Sequence, residues 1–120
     1  MSFDVVVSNP FERKLKRLAK RHKTLVTDLA SLIDELVENP TLGVPIGKDC
    51  YKIRIAISSK GKGKSGGERI ITYVRVINQT VFLIDIYDKT DQESISDKEI
   101  QMLIEILQEE LIIYQSERVY

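Results

Sequence analysis

The apolar positions of the chain change period along its length. Phe3 to Ser8 is rich in valine and predicts a short strand. Asn9-Pro10 then marks a helix start, with Asn9 as the cap, Pro10 at the first helical position and Glu12 three residues past the cap. Phe11, Leu15, Leu18 and His22 recur at helical spacing, with cations filling the other faces. Thr24 links this helix to a second one, whose stripe is Leu25, Leu29, Leu32, Ile33 and Leu36. Asn39-Pro40 ends it, because a residue before proline disfavours helical angles. Helices joined this tightly predict an αα-hairpin.

Thr41 to Gly47, with Gly43, Pro45 and Gly47, reads as a connecting loop. The period then becomes two. Tyr51, Ile53, Ile55 and Ile57 share one face of a strand, and Lys52 and Arg54 lie on the other. Ser58 to Gly67 is a loop too rich in Gly, Ser and Lys for regular structure. A second strand, Arg69 to Ile77, sets Arg69, Tyr73 and Arg75 against Ile70, Val74 and Val76. Asn78-Gln79 turns the chain into a third, Val81 to Asp88, with Phe82, Ile84 and Ile86 on one side and Asp85 and Tyr87 on the other. Ser96 and Glu99 form an S-x-x-E capping box for a last helix striped by Ile100, Leu103, Ile104, Leu107 and Leu111. Met102, Ile106 and Ile113 form a second stripe, read as extra core or a docking surface. The order β-α-α-β-β-β-α predicts an α+β domain over residues 1–120: N-terminal strand, αα-hairpin, three-stranded antiparallel meander and C-terminal helix.

Composition narrows the classes. No apolar run approaches the roughly 18–20 residues of a membrane helix, and MSFDVVVSNP has neither the basic start nor the apolar stretch of a secretion signal. Cys50 is the only cysteine, so no internal disulfide forms and a cytoplasmic location is expected. One cysteine and one histidine do not build a zinc site of the usual Cys/His kind, and neither metal nor cofactor is expected. Net charge is zero, yet strongly segregated. Residues 11–23 hold seven cations against one acid, and residues 48–75 hold eight against two. Residues 85–117 hold ten acids against two cations. A basic zone on a neutral protein still attracts polyanions.

If the isoleucine faces pack on helices, the opposite sheet face gathers Lys52, Arg54, Arg69, Tyr73, Arg75, Asp85 and Tyr87 on an open cationic floor. The loop lysines Lys60, Lys62 and Lys64 hang at its end, and with Lys48, Tyr73 and Arg75 they are the candidate RNA-binding set. Cations suit phosphate and rings suit bases. Gly63-Lys64-Ser65 reads G-K-S, but a phosphate-binding loop needs glycine where Ser58 stands, and a strand rather than a helix follows. His22 reads as a core-edge or C-terminal capping histidine. The basic face of residues 13–23 fits nucleic acid and a solvated surface equally well.

Three segments together resemble the RelE/ParE superfamily of bacterial type II toxin–antitoxin toxins. They are Asp49-Cys50-Tyr51-Lys52-Ile53-Arg54, Gly66-Gly67-Glu68-Arg69-Ile70-Ile71 and Leu83-Ile84-Asp85-Ile86-Tyr87-Asp88-Lys89. The family's D-x-x-K-x-[KR], G-x-R-[ILV] and I-Y-x-K patterns recur in that order, and Ser94-Ile95-Ser96 looks like the HigB-like type. The resemblance implies a ribosome-dependent endoribonuclease that cuts messenger RNA, with Lys52, Arg54, Arg69 and Lys89 at the family's basic positions. The further tyrosine of RelE proper has no counterpart in Glu93-Ser94-Ile95, and Tyr87 is the ring available. Within that frame Arg54 and Arg69 stabilise the pentavalent phosphorane, Lys52 is the candidate general base, and Lys89 or Tyr87 protonates the leaving 5′ oxygen. The implied partners are the ribosome with its message and a cognate antitoxin, with no membrane. The C-terminal helix is the surface for that antitoxin or for a homodimer. The other readings of the same fold are a ParE-like gyrase inhibitor and a catalytically silent RNA-binding member.

Overall fold

The computed structural model describes residues 2–58 and 67–118, the side chains of 114–118 excepted. Its elements are β1 (Asp4–Val7), α1 (Asn9–Arg21), α2 (Leu25–Glu38), β2 (Val44–Gly47), β3 (Cys50–Ile55), β4 (Glu68–Arg75), β5 (Thr80–Asp88) and α3 (Asp97–Arg118). The α+β order and the antiparallel β3-β4-β5 meander are those the periodicity predicts. Two strands complete a mixed sheet of order β1-β5-β4-β3-β2: β1 lies parallel to β5 at one edge, and β2 is antiparallel to β3 at the other.

β2 lies inside the segment expected to be a loop. Its glycines and proline look like turn residues, yet Pro45 sits on an edge strand, where a missing N–H is tolerated. The turn into β3 needs left-handed backbone at Gly47, Lys48 and Asp49 (φ 91°, 56° and 61°). The cap of α1 is Ser8 rather than Asn9: Phe11 N–H donates to Ser8 Oγ at 3.3 Å, placing Asn9 and Pro10 inside the first turn. Ser8 competes well because its short hydroxyl reaches the orphan amides from the extended backbone that ends β1. At the start of α3, Glu99 N–H donates to Ser96 Oγ at 3.1 Å, as the capping signal predicts.

Helices cover both faces of the sheet. Phe11, Leu18, Leu25, Leu29, Leu32 and Leu36 from the hairpin pack on Ile53, Ile55, Ile57, Ile70, Val74, Val81, Leu83 and Ile86. On the other face Ile100, Ile104 and Leu107 of α3 pack on Cys50, Ile71, Tyr73, Phe82, Ile84 and Tyr87. The expected open floor is therefore corrected, because the acidic last helix carries enough apolar surface to close that face itself.

The side assignment within β5 is corrected too. The β4–β5 register steps from Ile71↔Asp85 to Thr72↔Leu83, so Ile84 is an extra residue on β5. A bulge of this kind re-phases the strand. Phe82, Ile84 and Tyr87 consequently meet α3, whereas Ile86 joins Leu83 beneath the hairpin. β4 also stops at Arg75, and Val76, expected on the inner side, is 70% exposed in the following turn. Among the described residues no helix is long and apolar enough to cross a membrane.

Candidate active site

Three adjacent strands carry the candidate catalytic groups. Arg54 of β3 pairs directly with Arg69 of β4, which pairs with Tyr87 of β5. Cross-strand partners share a face, so Arg54, Arg69 and Tyr87 form a row across the sheet, with Lys52 on the same side of β3 two residues away. Lys89 follows just past the end of β5 and is exposed. These residues are brought to one end of the meander. Tyr73, Arg75 and Lys48 lie elsewhere. Arg69 and Arg75 are separated along β4 by about 20 Å at the usual rise per strand residue. Tyr73 is buried, stacked on Phe82 with ring centroids 6.2 Å apart, so it serves the core and not an open platform. Lys60, Lys62 and Lys64 lie outside the described residues.

Burial grades the row. Arg54 is exposed and Lys52 half-buried, whereas Arg69 and Tyr87 are each only 3% exposed. Arg69 Nη1 donates to the carbonyl of Gly67 at 3.3 Å, which holds the guanidinium at the start of β4. The Tyr87 hydroxyl has no hydrogen-bond partner among the described residues. Burial pushes its phenol above the ordinary value, with the neighbouring Arg69 charge opposing. Tyr87 is a neutral phenol at neutral pH, as an unshifted tyrosine also is.

Asp85, expected on the floor, is instead taken by α1. Lys14 Nζ reaches its Oδ1 at 2.7 Å, and the carboxylate is almost wholly buried. Burial raises its pKa, and the hydrogen bond and charge of Lys14 pull the other way. Replacing Lys14 by methionine leaves that carboxylate buried without its counter-charge. The expected loss in urea unfolding at neutral pH is about 2 kcal/mol, below the roughly 3–5 kcal/mol of fully buried pairs because Lys14 is partly exposed. With the folded pKa above the unfolded one, the folded state holds the proton more tightly, so the cost of ionised Asp85 appears as pH rises through that window. The deficit of the variant accordingly shrinks in acid.

Beside Tyr87, a cleft of about 440 Å³ is lined by Lys14, Arg17 and Arg21 of α1 and by Asp88 and Asp91. Arg21 is held by Asp91 at 2.6 Å. The helical stripe gave no sign that this part of the basic face of α1 borders the candidate site, because α1 reaches β5 only beyond the end of β1. Sequence reasoning also missed what His22 touches. His22 does occupy the C-cap of α1, its N–H bonded to the Leu18 carbonyl, but its ring turns to Glu68 and Asp88.

This arrangement, a mixed sheet with a cationic row at one end and helices on both faces, is a RelE-type toxin fold. A crystal structure of the isolated E. coli RelE toxin shares it, at TM-score 0.57 and 18% identity over 88% of this chain and 99% of that one. An arginine-mutant form of E. coli RelE in the free state matches at TM-score 0.56 and 24% identity, over 78% of this chain and 90% of that one. The toxin in the intact E. coli RelBE toxin–antitoxin complex matches at TM-score 0.56 and 20% identity, covering 72% and 96%. Residues 11–118 match the family described as the RelE toxin of the RelE/RelB toxin–antitoxin system. The chain belongs to the RelE toxin family.

Proposed function

We propose that the chain is the toxin of a type II toxin–antitoxin module and a metal-independent endoribonuclease that cuts ribosome-bound messenger RNA, acting in the cytoplasm as one RelE-like domain. The observation that carries this reading is the direct cross-strand pairing of Arg54 with Arg69. Two guanidiniums on adjacent strands of one sheet face are a paired cationic arrangement of the kind that suits a phosphate. Arg54 and Lys52, the accessible members, meet the RNA backbone, while Arg69 and Tyr87 act from beneath.

RNA supplies its own nucleophile, so holding the backbone in line for attack provides much of the rate. Lys52 accepts the 2′-hydroxyl proton as that oxygen bonds to the adjacent phosphorus. Charge building on the phosphorane meets the two guanidiniums. As the bond to the 5′ oxygen breaks, the Tyr87 phenol supplies the proton. Lys89 is the alternative donor. The products are a 2′,3′-cyclic phosphate and a 5′-hydroxyl. The RelB-bound forms of E. coli RelE support a cognate antitoxin as the partner that silences this chain.

The test is incubation of a message with the chain in a translation extract, with and without ribosomes. Cleavage with 2′,3′-cyclic ends in the ribosome-containing sample is expected. Intact message there overturns the reading. The burial of Arg69 and Tyr87 favours the second reading, a catalytically silent RNA binder, which leaves the message whole while retaining it on the ribosome.

A further inference from the structure

Lys52 and Arg54 line a second feature, a groove of about 400 Å³ between α2 and β3. It exists because β2 is shorter than its neighbour. The β2–β3 ladder ends at Val44↔Lys52, so from Ile53 to Ile55 no described strand pairs with β3 on that side. Leu32 of α2, Leu42 and the two isoleucines supply apolar lining. Gly43 shuts one end. Its backbone runs so close to β3 that a Cβ there would stand 2.5 Å from the Lys52 carbonyl oxygen and 2.9 Å from Ile53 Cγ1.

The groove carries both signs of charge. Its α2 wall holds Asp28 and Glu35, and its β3 wall holds Lys52 and Arg54. Asp28 is fully engaged: Oδ1 accepts from the Ser58 hydroxyl at 2.7 Å, and Oδ2 from Ser58 N–H at 3.0 Å and the Thr24 hydroxyl at 2.9 Å. Glu35, exposed two turns further along α2, makes no ion pair or side-chain hydrogen bond among the described residues, and neither do Lys52 and Arg54. Two cations and one carboxylate thus line the same groove without neutralising one another, with apolar surface between them.

We propose that this groove takes the base of the nucleotide on the 5′ side of the cut, and that Glu35 selects guanine there. The inference rests on the reading of Lys52 and Arg54 as the groups that meet the RNA backbone. Lys52 receives the proton of that nucleotide's 2′-hydroxyl, so the groove it also lines adjoins the same ribose. A nucleotide matches the lining in kind: its phosphate suits the two cations, the faces of its base suit the leucine and isoleucine walls, and its base edge suits the carboxylate. The volume lies within the roughly 300–1,000 Å³ of small-ligand sites. A carboxylate only accepts hydrogen bonds. Guanine alone presents two neighbouring N–H donors on its pairing edge, spaced to meet both carboxylate oxygens. Adenine and cytosine set an amino group beside an acceptor, and uracil flanks its one N–H with two acceptors, which a carboxylate repels.

The experiment titrates the nitrogen-15-labelled full chain with guanosine, adenosine, cytidine and uridine 3′-monophosphates, followed by amide chemical shifts. Saturable shifts at Ser31, Glu35, Gly43 and Ile53 are expected, with guanosine bound about tenfold more tightly than the others, the scale of one net hydrogen bond to a charged group. Glu35→Gln, checked for folding by circular dichroism, should bring guanosine down to the level of the other three. Arg54→Ala should weaken all four alike. Shifts confined to other surfaces overturn the proposal, as does a guanosine preference that is missing or that survives Glu35→Gln. No shifts at all overturn it too, and leave the groove to an extended peptide adding to the open edge of β3. The readout does not depend on cleavage: groove binding with an intact message sinks the nuclease reading alone, and cleavage without groove shifts sinks this inference alone.

Discussion

Replacing Arg69 by alanine is expected to lower message cleavage by a factor of about 100 or more, the scale seen when one donor to a developing oxyanion is removed. Arg69 is the middle member of the row, flanked by Arg54 on one strand and Tyr87 on the next. Buried beside the exposed Arg54 and bonded to the Gly67 carbonyl, it is a charge held in place by the fold itself. Arg69 is buried and bonded to the Gly67 carbonyl, so the change also costs stability, and cleavage is compared at a temperature where circular dichroism shows the variant folded. Arg69→Lys separates charge from geometry: it keeps the cation but loses the planar fork that donates to the Gly67 carbonyl. Activity between wild type and alanine is expected for it. Cleavage at the wild-type rate in Arg69→Ala would remove Arg69 from the mechanism.

How far the sequence reaches is seen by comparing particular elements. Helical stripes were fully legible, since Phe11, Leu18, Leu25, Leu29, Leu32 and Leu36 all enter the core that their spacing assigns them. The alternation of β3 was legible for the same reason: Ile53 and Ile55 are buried under the hairpin while Lys52 and Arg54 alternate with them. β5 was not, because a bulge is one residue of register and leaves no mark in composition; Ile84, Asp85 and Ile86 are all compatible with either phase. The second helical cover was hidden by charge. Asp97, Glu99, Glu105, Glu109 and Glu110 made α3 look like an outward or partner-facing element, while Ile100, Ile104 and Leu107 pack on Ile71, Tyr73, Phe82, Ile84 and Tyr87. Contacts between distant segments were beyond reach in principle: nothing at Lys14 announces Asp85, and nothing at His22 announces Glu68 and Asp88. The candidate catalytic residues themselves came from ordered motifs, and the register then put Arg54, Arg69 and Tyr87 side by side.

Gly67→Ala is expected to cost about 3 kcal/mol, at the upper end for an overpacked interior, and to lower the melting temperature by about 10 °C in a chain of this size. A Cβ at this position runs into the carbonyl oxygen of Ile55 and comes within 3.1 Å of the Ala56 Cα. Both are backbone atoms, so no rotamer change relieves the clash, and the strands must part. The pair that opens first is Ile55↔Glu68, the end of the β3–β4 ladder, followed by Arg54↔Arg69. Stability and cleavage should therefore fall together, with amide exchange quickening first at Glu68. Gly47→Ala is the matched control. Nothing lies within 4 Å of its added methyl group, and only the left-handed backbone (φ 91°) resists it, at about 1 kcal/mol. A melt of Gly67→Ala no lower than that of Gly47→Ala would mean that β3 and β4 do not approach at this glycine, and the close Arg54–Arg69 pairing would lose its anchor.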